Sequence, residues 1–596
     1  MSITKLSKNA LIILEQRYLM RNEGGKVKEK PEDLFRRVAR NISIADARYV
    51  HNKRLIEKDN IIKKTEEEFY NLMASLDFLP NSPTLLNAGR KMQQLAACFV
   101  LPLDDDIDSI FKTLHDAARV HKTGAGTGFN FSNLRPRGDS IGSFGQTSGS
   151  ISFMKIFDAA TQQIKLGGTL RGANMGILNV NHPDIEEFIT VKSRENVLTN
   201  FNISVAITDK FIELIKKNKK YDLINPRTKK IARKESAARI FRMICEQAWI
   251  NGDPGVIFID RINEFNPTPD LGKIESTDSC GEQPLLPYES CNLGSINLSN
   301  IVENKKINYA KLKKIIFSAV HFLDNVIDMC NYPLKENRKI VERNRKIGLG
   351  VMGFADMLTK LGIAYDSEQG IKVAAQLMEF ISQESCAASC ELAKSRGKFP
   401  SWKDSVFNRK SKNFQGKSLL VRNATRTTIA PTGTISIIAD VSSGIEPLFA
   451  LSYVRRTSDG KDLSYFNKEL KKSLAENGLD TDEIIEKINK YGSLKNINEI
   501  PEKKRKIFVV GSDIEPEWHV KMQAAFQKHV DNGISKTVTL PKDATVEDVE
   551  KIFLMAHELG CKGISIYRYG SREGQVIYLS SKRDEQITLS DWVKKR

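Results

Sequence analysis

Hydrophobic residues recur at helical spacing through the first 80 residues. Ser7 is a candidate N-cap for a helix that carries Leu11, Leu14 and Tyr18 on one face. A second stripe consists of Phe35, Val38, Ile42 and Ala45. The pattern predicts a helical region over residues 1–90.

From about residue 95, short strand-like runs alternate with longer helical stretches. Apolar and polar residues alternate in TNFNISVAIT, which is typical of a strand. Further strands are predicted over 255–260, 506–512 and 536–540. Helices are predicted over 209–218, 236–250, 309–330 and 546–559, and polar loops over 224–236, 400–418 and 493–506. This alternation favours an α/β fold with parallel pairing, but it does not distinguish a barrel from an open sheet.

Composition narrows the class of protein. The 596 residues exceed one ordinary domain, and no apolar run is long enough to cross a bilayer. The N-terminus lacks a signal-peptide pattern, so we expect a cytoplasmic protein. The net charge of +18 comes from lysines spread over the whole length, which is typical of solvated helix faces. A DNA-binding role is therefore a distant alternative, and no direct nucleic-acid or membrane partner is expected.

The eight cysteines are spread along the chain and do not form a secreted disulfide framework. No CxxC occurs, and no Cys/His set has zinc spacing, so no metal site is predicted. Cys386 and Cys390 are one helical turn apart among alanines, which favours a packing role. Any chemistry would use reactive thiols that are distant in sequence.

Residues 276–298 concentrate candidate chemistry. Asp278, Cys280 and Glu282 alternate, and the nearby Gly281 and prolines disfavour a helix. On an extended segment all three side chains would point the same way. Carboxylates oppose thiolate formation, so this setting suits a neutral thiol that transfers a hydrogen atom better than a nucleophile. The alternative is a loop with a buried cysteine and surface acids.

Three glycine-containing stretches are candidate ligand loops. In 121–138, glycines would admit a ligand close to the backbone, and Arg135 and Arg137 would suit phosphate. The turn in 429–440 offers backbone N–H groups for phosphate, or is a plain helix cap. Residues 167–176 are a further glycine-rich loop, or mere turns. GLGVMG at 348–353 lacks the strand and acid that a dinucleotide-binding loop needs.

Together, these passages resemble the cobalamin-dependent class of ribonucleotide reductases over nearly the whole chain. The matching stretches, in family order, are 81–89, 94–103, 121–138, 167–176, 280–298, 345–358, 430–436 and 566–576. The resemblance implies a ten-stranded α/β barrel of two parallel five-stranded halves over 91–580, with a central finger loop. A helical region over 1–90 would precede it, and a short tail over 581–596 would follow.

The resemblance also implies roles for individual residues. Cys280 looks like the radical cysteine and Glu282 like the general base for the ribose 3′-hydroxyl. Cys98 and Cys291 look like the redox-active disulfide pair, and Asp278 is counted as catalytic. Positions similar to the family's substrate contacts are Ser82, Thr84, Ala97, Gly126, Pro431, Thr432, Gly433, Thr434, Ile435 and Ser436. Positions similar to its effector contacts are Asp105, Arg135 and Arg171.

The expected cofactor is adenosylcobalamin. Reductases with a separate radical subunit carry two adjacent tyrosines near the C-terminus, whereas this chain has Tyr567 followed by Arg568. No glycyl-radical motif is present in GSREGQ. Expected partners are a ribonucleotide substrate, a deoxynucleotide effector and a second copy in a homodimer. The reductant would be thioredoxin-like or a separate cysteine-bearing polypeptide, because no cysteine follows Cys561.

Three departures from the family pattern bear on activity. Asp278-Ser279 replaces the usual Asn-Pro, the C-terminal cysteine pair is missing, and no ATP-binding cone is evident. We expect Asp278 to be protonated, donating a hydrogen bond as the amide would, while Glu282 stays ionised. An active, diphosphate-type reductase is the main hypothesis, and a catalytically inactive nucleotide-binding paralogue is the alternative.

Overall fold

Two sets of parallel strands form the centre of the fold. The computed structural model describes residues 4–50, 54–143, 145–166, 170–194, 196–456, 462–571 and 577–579. The first set consists of Cys98–Val100, Gly126–Asn130, Asn174–Asn179, Phe201–Ile207 and Gly255–Phe258. The second set consists of Ser290–Asn297, Ile347–Met352, the extended segment 427–429, Thr537–Leu540 and Gly563–Arg568.

The two sets close on each other at both edges. Val256 pairs antiparallel with Ile564, and Cys98 pairs antiparallel with Cys291. Within the second set, the segment 427–429 is linked by the bridges Leu349–Thr427 and Ile429–Ile534. The result is a closed ten-stranded barrel of two parallel halves, which confirms the architecture implied by the resemblance and resolves the choice between barrel and open sheet.

Two strands of the second set are buried along their whole length. Every residue of Ser290–Asn297 and of Ile347–Met352 is buried, as is typical of parallel strands covered on both faces. The second of these strands contains GLGVM of the motif GLGVMG, and Gly353 caps the helix that follows, so the motif belongs to the barrel wall. The strand predictions over 199–208, 255–260 and 536–540 are confirmed.

The helical N-terminal region packs directly on the barrel. Helix Lys8–Arg17 begins after Ser7, whose side chain accepts a hydrogen bond from Ala10 N at 3.1 Å. Leu11 is 39 % exposed, because Ala10, Ile13 and Leu14 face the core instead. A short strand, Phe78–Pro80, pairs with Ser290–Asn297. The region before residue 90 is thus joined to the barrel, and the boundaries at 90 and 580 stay predictions. The tail 581–596 lies outside the described residues.

The other elements surround this centre. The helices are Lys8–Arg17, Pro31–Ser43, Leu55–Ala74, Ser82–Asn87, Ile107–His121, Ser150–Gln163, Ile185–Thr190, Asp209–Lys216, Ala237–Asn251, Ile259–Glu264, Tyr309–Met329, Lys335–Asn344, Phe354–Leu361, Glu368–Arg396, Ile435–Ala439, Lys468–Ala475, Asp482–Tyr491, Glu502–Ile507, Pro516–Gln527 and Val546–Glu558. The remaining strands are Lys165–Leu166, Leu170–Arg171, Lys220–Ile224, Ile231–Ser236, Ser276–Thr277, Pro284–Leu285, Val302–Glu303, Lys306–Ile307, Ser452–Arg456, Asp462–Phe466 and Ile577–Tyr578. In the described part of the chain, no helix has the length and apolarity that a membrane crossing requires.

Three sequence predictions of local structure are wrong in part. Residues 493–506 were expected to be a loop and 506–512 a strand, but helix Glu502–Ile507 occupies the end of the first and the start of the second, since EKKRKI consists mostly of good helix formers. The predicted loop 224–236 contains half of a hairpin, Lys220–Ile224 with Ile231–Ser236. Its second strand is largely solvent-exposed, so it lacks the apolar alternation by which a strand is recognised.

Candidate active site

Residues 276–285, the finger loop, form a hairpin that crosses the interior of the barrel. Ser276 pairs with Leu285 and Thr277 with Pro284. From the first half, a Cβ on Gly128 would lie 1.7 Å from the Thr277 carbonyl oxygen. From the second half, a Cβ on Gly533 would lie 2.6 Å from the Gly281 carbonyl oxygen. Both halves of the wall therefore need glycine to admit the finger loop.

The tip of the finger loop, residues 278–283, is a tight turn. Asp278 N donates to Gln283 O at 3.0 Å, and Gln283 N donates back to Asp278 Oδ1 at 2.9 Å. Gly281 adopts a φ of +84°, a left-handed conformation that favours glycine. The expectation of an extended segment with three parallel side chains is therefore wrong, because backbone bonds close the tip on itself.

Cys280 contributes to the wall of a large cavity. The cavity has a volume of about 910 Å³ and is also lined by parts of strands Phe201–Ile207, Gly255–Phe258 and Gly563–Arg568. Asp278 and Glu282 are not part of its lining. The thiol is open to the cavity but surrounded by protein, and this burial, reinforced by the two carboxylates, raises its pKa well above the usual range. Cys280 is therefore a neutral thiol, as hydrogen-atom transfer requires.

Cys98 and Cys291 are direct neighbours on antiparallel strands. They are register partners at the seam between the two barrel halves, and both are free thiols. Directly opposed residues have Cα atoms about 4.5–5.5 Å apart, which is within the range for a disulfide. Burial raises the pKa of both thiols well above the usual range. The fold thus brings together two reduced thiols that are far apart in sequence.

Asp278 links the finger loop to this thiol pair. Its Oδ2 accepts a hydrogen bond from Cys98 Sγ at 3.1 Å and a longer one from Cys280 N at 3.5 Å, while Oδ1 accepts from Gln283 N. Burial raises the pKa of Asp278, but these donors favour its ionised form. Asp278 is therefore the hydrogen-bond acceptor of the tip.

Glu282 has the opposite environment. Its Oε2 is buried and accepts no hydrogen bond from a donor among the described residues, and the side chain hydrogen-bonds instead with the Asp278 carboxylate, which requires a proton on Glu282. Burial, followed by the charge of Asp278, raises the pKa of Glu282 well above its usual range. In this arrangement Glu282 holds the proton and Asp278 the charge. The contacts thus favour the reverse of the distribution expected from the sequence, because the fold supplies donors to Asp278 and none to Glu282 Oε2.

Several residues that hold the finger loop were missed by sequence reasoning. The Glu282 carbonyl oxygen accepts from Thr428 Oγ1 and from Gly533 N, each at 2.9 Å. Asn202 Nδ2 donates to the Ser279 carbonyl oxygen at 2.8 Å. No local pattern marks these residues, since their roles depend on contacts between distant segments.

Comparison with known proteins agrees with this geometry. The sequence model for "Ribonucleotide reductase, barrel domain" matches residues 96–567, and that for "Ribonucleotide reductase, all-alpha domain" matches residues 4–93. The chain belongs to the ribonucleotide reductase family. A protein of Thermoplasma acidophilum named "Vitamin B12-dependent ribonucleoside-diphosphate reductase" is 47 % identical, over 99 % of this chain and 83 % of the relative.

Two further relatives extend the comparison. A protein of the same name from Mycobacterium tuberculosis is 44 % identical, over 96 % of this chain and 81 % of the relative. A solved structure, the class Id ribonucleotide reductase alpha subunit of Actinobacillus ureae, aligns with a TM-score of 0.77 at 24 % identity. It covers 96 % of this chain and 98 % of that subunit, and it supports the fold.

Two of the substrate candidates in this reductase, Ser82 and Thr434, lie beside one N-terminal side chain. The Tyr18 hydroxyl is 2.7 Å from Ser82 Oγ and also hydrogen-bonds to Thr434. Thr84, another substrate candidate, has a different partner. Thr84 Oγ1 donates to the Leu95 carbonyl oxygen at 2.9 Å, so this hydroxyl is already satisfied inside the protein.

Ala97 and Gly126, two more substrate candidates, lie in the part of the barrel wall next to the finger loop. Gly126 N donates to the Ala97 carbonyl oxygen at 3.1 Å. A Cβ on Gly126 would lie 2.5 Å from Ser279 Oγ. The close approach that the glycines of 121–138 permit is therefore an approach of the finger loop, and a ligand contact for Gly126 stays a prediction.

The turn 431–436 has donors that face no protein acceptor. Thr432 adopts a φ of +53°, and its Oγ1 accepts from Gly444 N at 2.8 Å. Within the described ranges, the backbone N–H groups of Gly433 and Thr434 have no protein acceptor. Ser436 Oγ lies 3.1 Å from Ser443 Oγ. Pro431 and Ile435 flank these donors in the chain.

The effector candidates are only partly brought together. Arg135 Nε donates to Asp105 Oδ2 at 2.8 Å, and Arg135 N donates to Oδ1 at 3.0 Å. Arg171 lies in strand Leu170–Arg171, but its side chain is outside the described residues, as are residues 167–169. The two residues that are described form an ion pair, and an effector site stays a prediction.

Tyr567 and Arg568, the two residues that indicated the radical source, lie in the barrel strand Gly563–Arg568. Tyr567 lines the cavity, and Arg568 does not. The Arg568 guanidinium lies 4.0 Å from the centre of the Trp249 ring, and its Nε donates to the Trp249 carbonyl oxygen at 3.0 Å. Arg568 is thus fixed outside the cavity. The end of the matching stretch, 572–576, lies outside the described residues.

Proposed function

We propose that this ribonucleotide reductase depends on adenosylcobalamin and reduces ribonucleoside diphosphates by thiyl-radical chemistry on Cys280. The observation that carries the proposal is the position of Cys280, a neutral thiol on the finger loop that opens onto the 910 Å³ cavity. The names of the two most similar relatives reported above support the cofactor and the diphosphate substrate.

The cavity suits the proposed cofactor. Small-molecule and cofactor sites usually occupy about 300–1,000 Å³, so this one is large enough to hold a nucleoside and part of a macrocycle. Phe449, Tyr491 and Tyr569 supply aromatic surface, and Cys280 is in the wall. When bound, adenosylcobalamin supplies an organic radical by homolysis of its cobalt–carbon bond. Arg568 supports a local radical source, because its guanidinium cannot replace the second tyrosine of a long-range pathway.

Each catalytic side chain has its own role in the proposed reaction. Cys280 loses its hydrogen atom, and the thiyl takes the ribose 3′-hydrogen. A carboxylate of the Asp278–Glu282 pair receives the 3′-hydroxyl proton while the 2′-hydroxyl leaves as water. Cys98 and Cys291 together supply two electrons and two protons and form a disulfide. Cys280 returns the hydrogen to C3′, so one ribonucleotide and two thiols give one deoxynucleotide, one water and one disulfide.

We propose that the substrate lies between the finger loop and the turn 431–436. The N–H groups of Gly433 and Thr434, beside Ser82, would bind phosphate. Thr84, Ala97 and Gly126 would shape the sugar site through their backbones. Asp105, Arg135 and Arg171 would bind a deoxynucleotide effector.

The cofactor assignment is tested by an anaerobic assay of deoxynucleotide formation. The full chain with dithiothreitol should turn over only when adenosylcobalamin is added, and diphosphates should be used in preference to triphosphates. Turnover that depends on an added iron or manganese subunit, and is indifferent to cobalamin, would refute the assignment. No product under any condition, with nucleotide binding intact, would favour the inactive paralogue.

A second copy of the chain is the proposed assembly partner. Ile107 and Phe111 on helix Ile107–His121 are 55 % and 49 % exposed, and Ile156 on the contacting helix Ser150–Gln163 is 38 % exposed. Exposed apolar side chains on adjacent helices favour a self-association surface. Phe111→Asp should shift the sedimentation of the chain from dimer to monomer, whereas Leu55→Asp, at an exposed site on another helix, should not. A Phe111→Asp chain that remains dimeric would contradict this surface.

The disulfide between Cys98 and Cys291 must be reduced for each turnover. We propose that a thioredoxin-like protein or a separate cysteine-bearing polypeptide supplies this dithiol. The proposed reaction provides deoxynucleotides for DNA synthesis, and this role favours a cytoplasmic location.

A further inference from the structure

Three donor groups of two chemical kinds meet beside the finger tip. Cys98 Sγ, a carboxylate oxygen of Asp278 and a carboxylate oxygen of Glu282 all lie within 4.8 Å of one another. All three residues are buried. Sequence spacing does not reveal the set, because Cys98 and Asp278 are 180 positions apart. We call these residues the thiol–carboxylate cluster.

Asp278 gives the cluster its charge. With an asparagine at this position, as in the family pattern, the set would hold one thiol, one carboxylate and a neutral amide. With aspartate it can supply a thiolate and two carboxylates, which are the deprotonated groups that bind transition-metal cations. The departure from the family pattern therefore converts a polar pocket into a potential ligand set.

The burial of Glu282 Oε2 is the second observation. Its side chain is 2 % exposed, and Oε2 has no hydrogen-bond donor among the described residues. A buried carboxylate oxygen without a donor is unfavourable unless a proton or a cation satisfies it. The oxygen belongs to the same residue that completes the cluster, so a cation bound there would neutralise its charge.

We propose that Cys98, Asp278 and Glu282 bind a divalent cation of the zinc type when the thiols are reduced and no nucleotide is bound. Zinc accepts cysteine sulfur together with carboxylate oxygen, and it forms sites with three protein ligands and an open fourth position. Magnesium and calcium prefer oxygen alone, so the sulfur donor disfavours them. Cys291, the register partner of Cys98, is not part of the set, because its Sγ donates to the Asn292 carbonyl oxygen at 3.4 Å.

Such a site would act as a reversible inhibitor switch. The cation would occupy the proposed general base and one reducing thiol, so it would compete with the ribose. Formation of the Cys98–Cys291 disulfide would remove the sulfur ligand and release the cation. Binding of the cation should therefore depend on the redox state of the chain. Binding at an adventitious carboxylate site would not depend on it.

Anaerobic titration of the reduced full chain with Cd²⁺ tests the site without cofactor or turnover. Cadmium bound to thiolate gives an ultraviolet charge-transfer band, and Zn²⁺ should displace it. The titration uses a Cys386→Ser/Cys390→Ser background, which removes the half-buried thiol pair on helix Glu368–Arg396 as a competing site. We expect one Cd²⁺ per chain, and no band after the Cys98–Cys291 disulfide has formed.

Three variants separate the ligands from their surroundings. Cys98→Ser should abolish the band, while Asp278→Asn and Glu282→Gln should each weaken binding by about tenfold or more, since loss of an outer partner alone has effects of about 10–100-fold. Thermal unfolding curves identify any variant that fails to fold. If one of the two carboxylate variants fails to fold, the cadmium affinity of the other one tests the proposal. Affinity unchanged in both carboxylate variants, or no cadmium bound in the Cys386→Ser/Cys390→Ser background, would overturn the proposal.

Discussion

Cys280→Ala is expected to reduce deoxynucleotide formation to background, a loss of about six orders of magnitude or more. No other described thiol lines the cavity, and the neutral Cys280 side chain is the hydrogen-atom carrier in the proposed reaction. The neighbouring tip is held by backbone bonds and by Gly281, so alanine should leave the finger loop in place. Equilibrium binding of nucleotide to the variant should therefore be retained.

Hydrogen exchange between the cofactor 5′ position and solvent separates Cys280 from the other thiols. Exchange should disappear in Cys280→Ala and persist in Cys98→Ala and Cys291→Ala, which lose clean product formation instead. Cys390→Ala is the matched control, because this half-buried thiol is on an outer helix. It should retain both exchange and turnover. Exchange that persists in Cys280→Ala would show that another group carries the radical.

The sequence predicts the chemistry of single residues better than their grouping. The alternating run that ends at Ile207 and the cap at Ser7 are local signals, and both predicted elements are present. The resemblance implied that Cys98 and Cys291 act together, and the seam between the barrel halves makes them neighbours. That seam pairs strands almost 200 residues apart in the chain, which no local pattern encodes.

The finger tip shows why side-chain direction could not be read from spacing. Alternation of Asp278, Cys280 and Glu282 predicts three parallel side chains only on an extended backbone. The turn places Cys280 in the cavity wall and leaves the two acids out of that wall. The contacts that hold the tip come from Thr428 and Gly533, which are about 150–250 residues away.

The carboxylate pair departs from expectation for the same reason. Asp278 was expected to imitate an amide donor, but Cys98 and two backbone N–H groups make it an acceptor. Only the folded chain supplies these donors. The proton then remains with Glu282, whose raised pKa arises from burial and from the charge of Asp278.

Glu282→Gln is expected to lower single-turnover reduction by about 10²–10⁴-fold, the usual contribution of a general base. Glutamine has the same shape but cannot accept the 3′-hydroxyl proton, and Asp278 remains as a poorer acceptor. In the natural chain the base works only after Glu282 loses its proton. Because its pKa is raised well above the usual range, the rate should increase with pH over a range higher than that in which an ordinary glutamate titrates.

Asp278→Asn is the matched variant for this titration. It removes the like charge beside Glu282, so the pKa of Glu282 should fall and the rise in rate should move to lower pH. In Glu282→Gln the rise should vanish. The measurement is single-turnover reduction with prereduced thiols between about pH 5.5 and 8.5, a window chosen to follow a carboxyl whose pKa is shifted upward. Rate profiles that coincide in the natural chain and Asp278→Asn, or a rate that falls through neutrality, would instead assign the proton to Asp278.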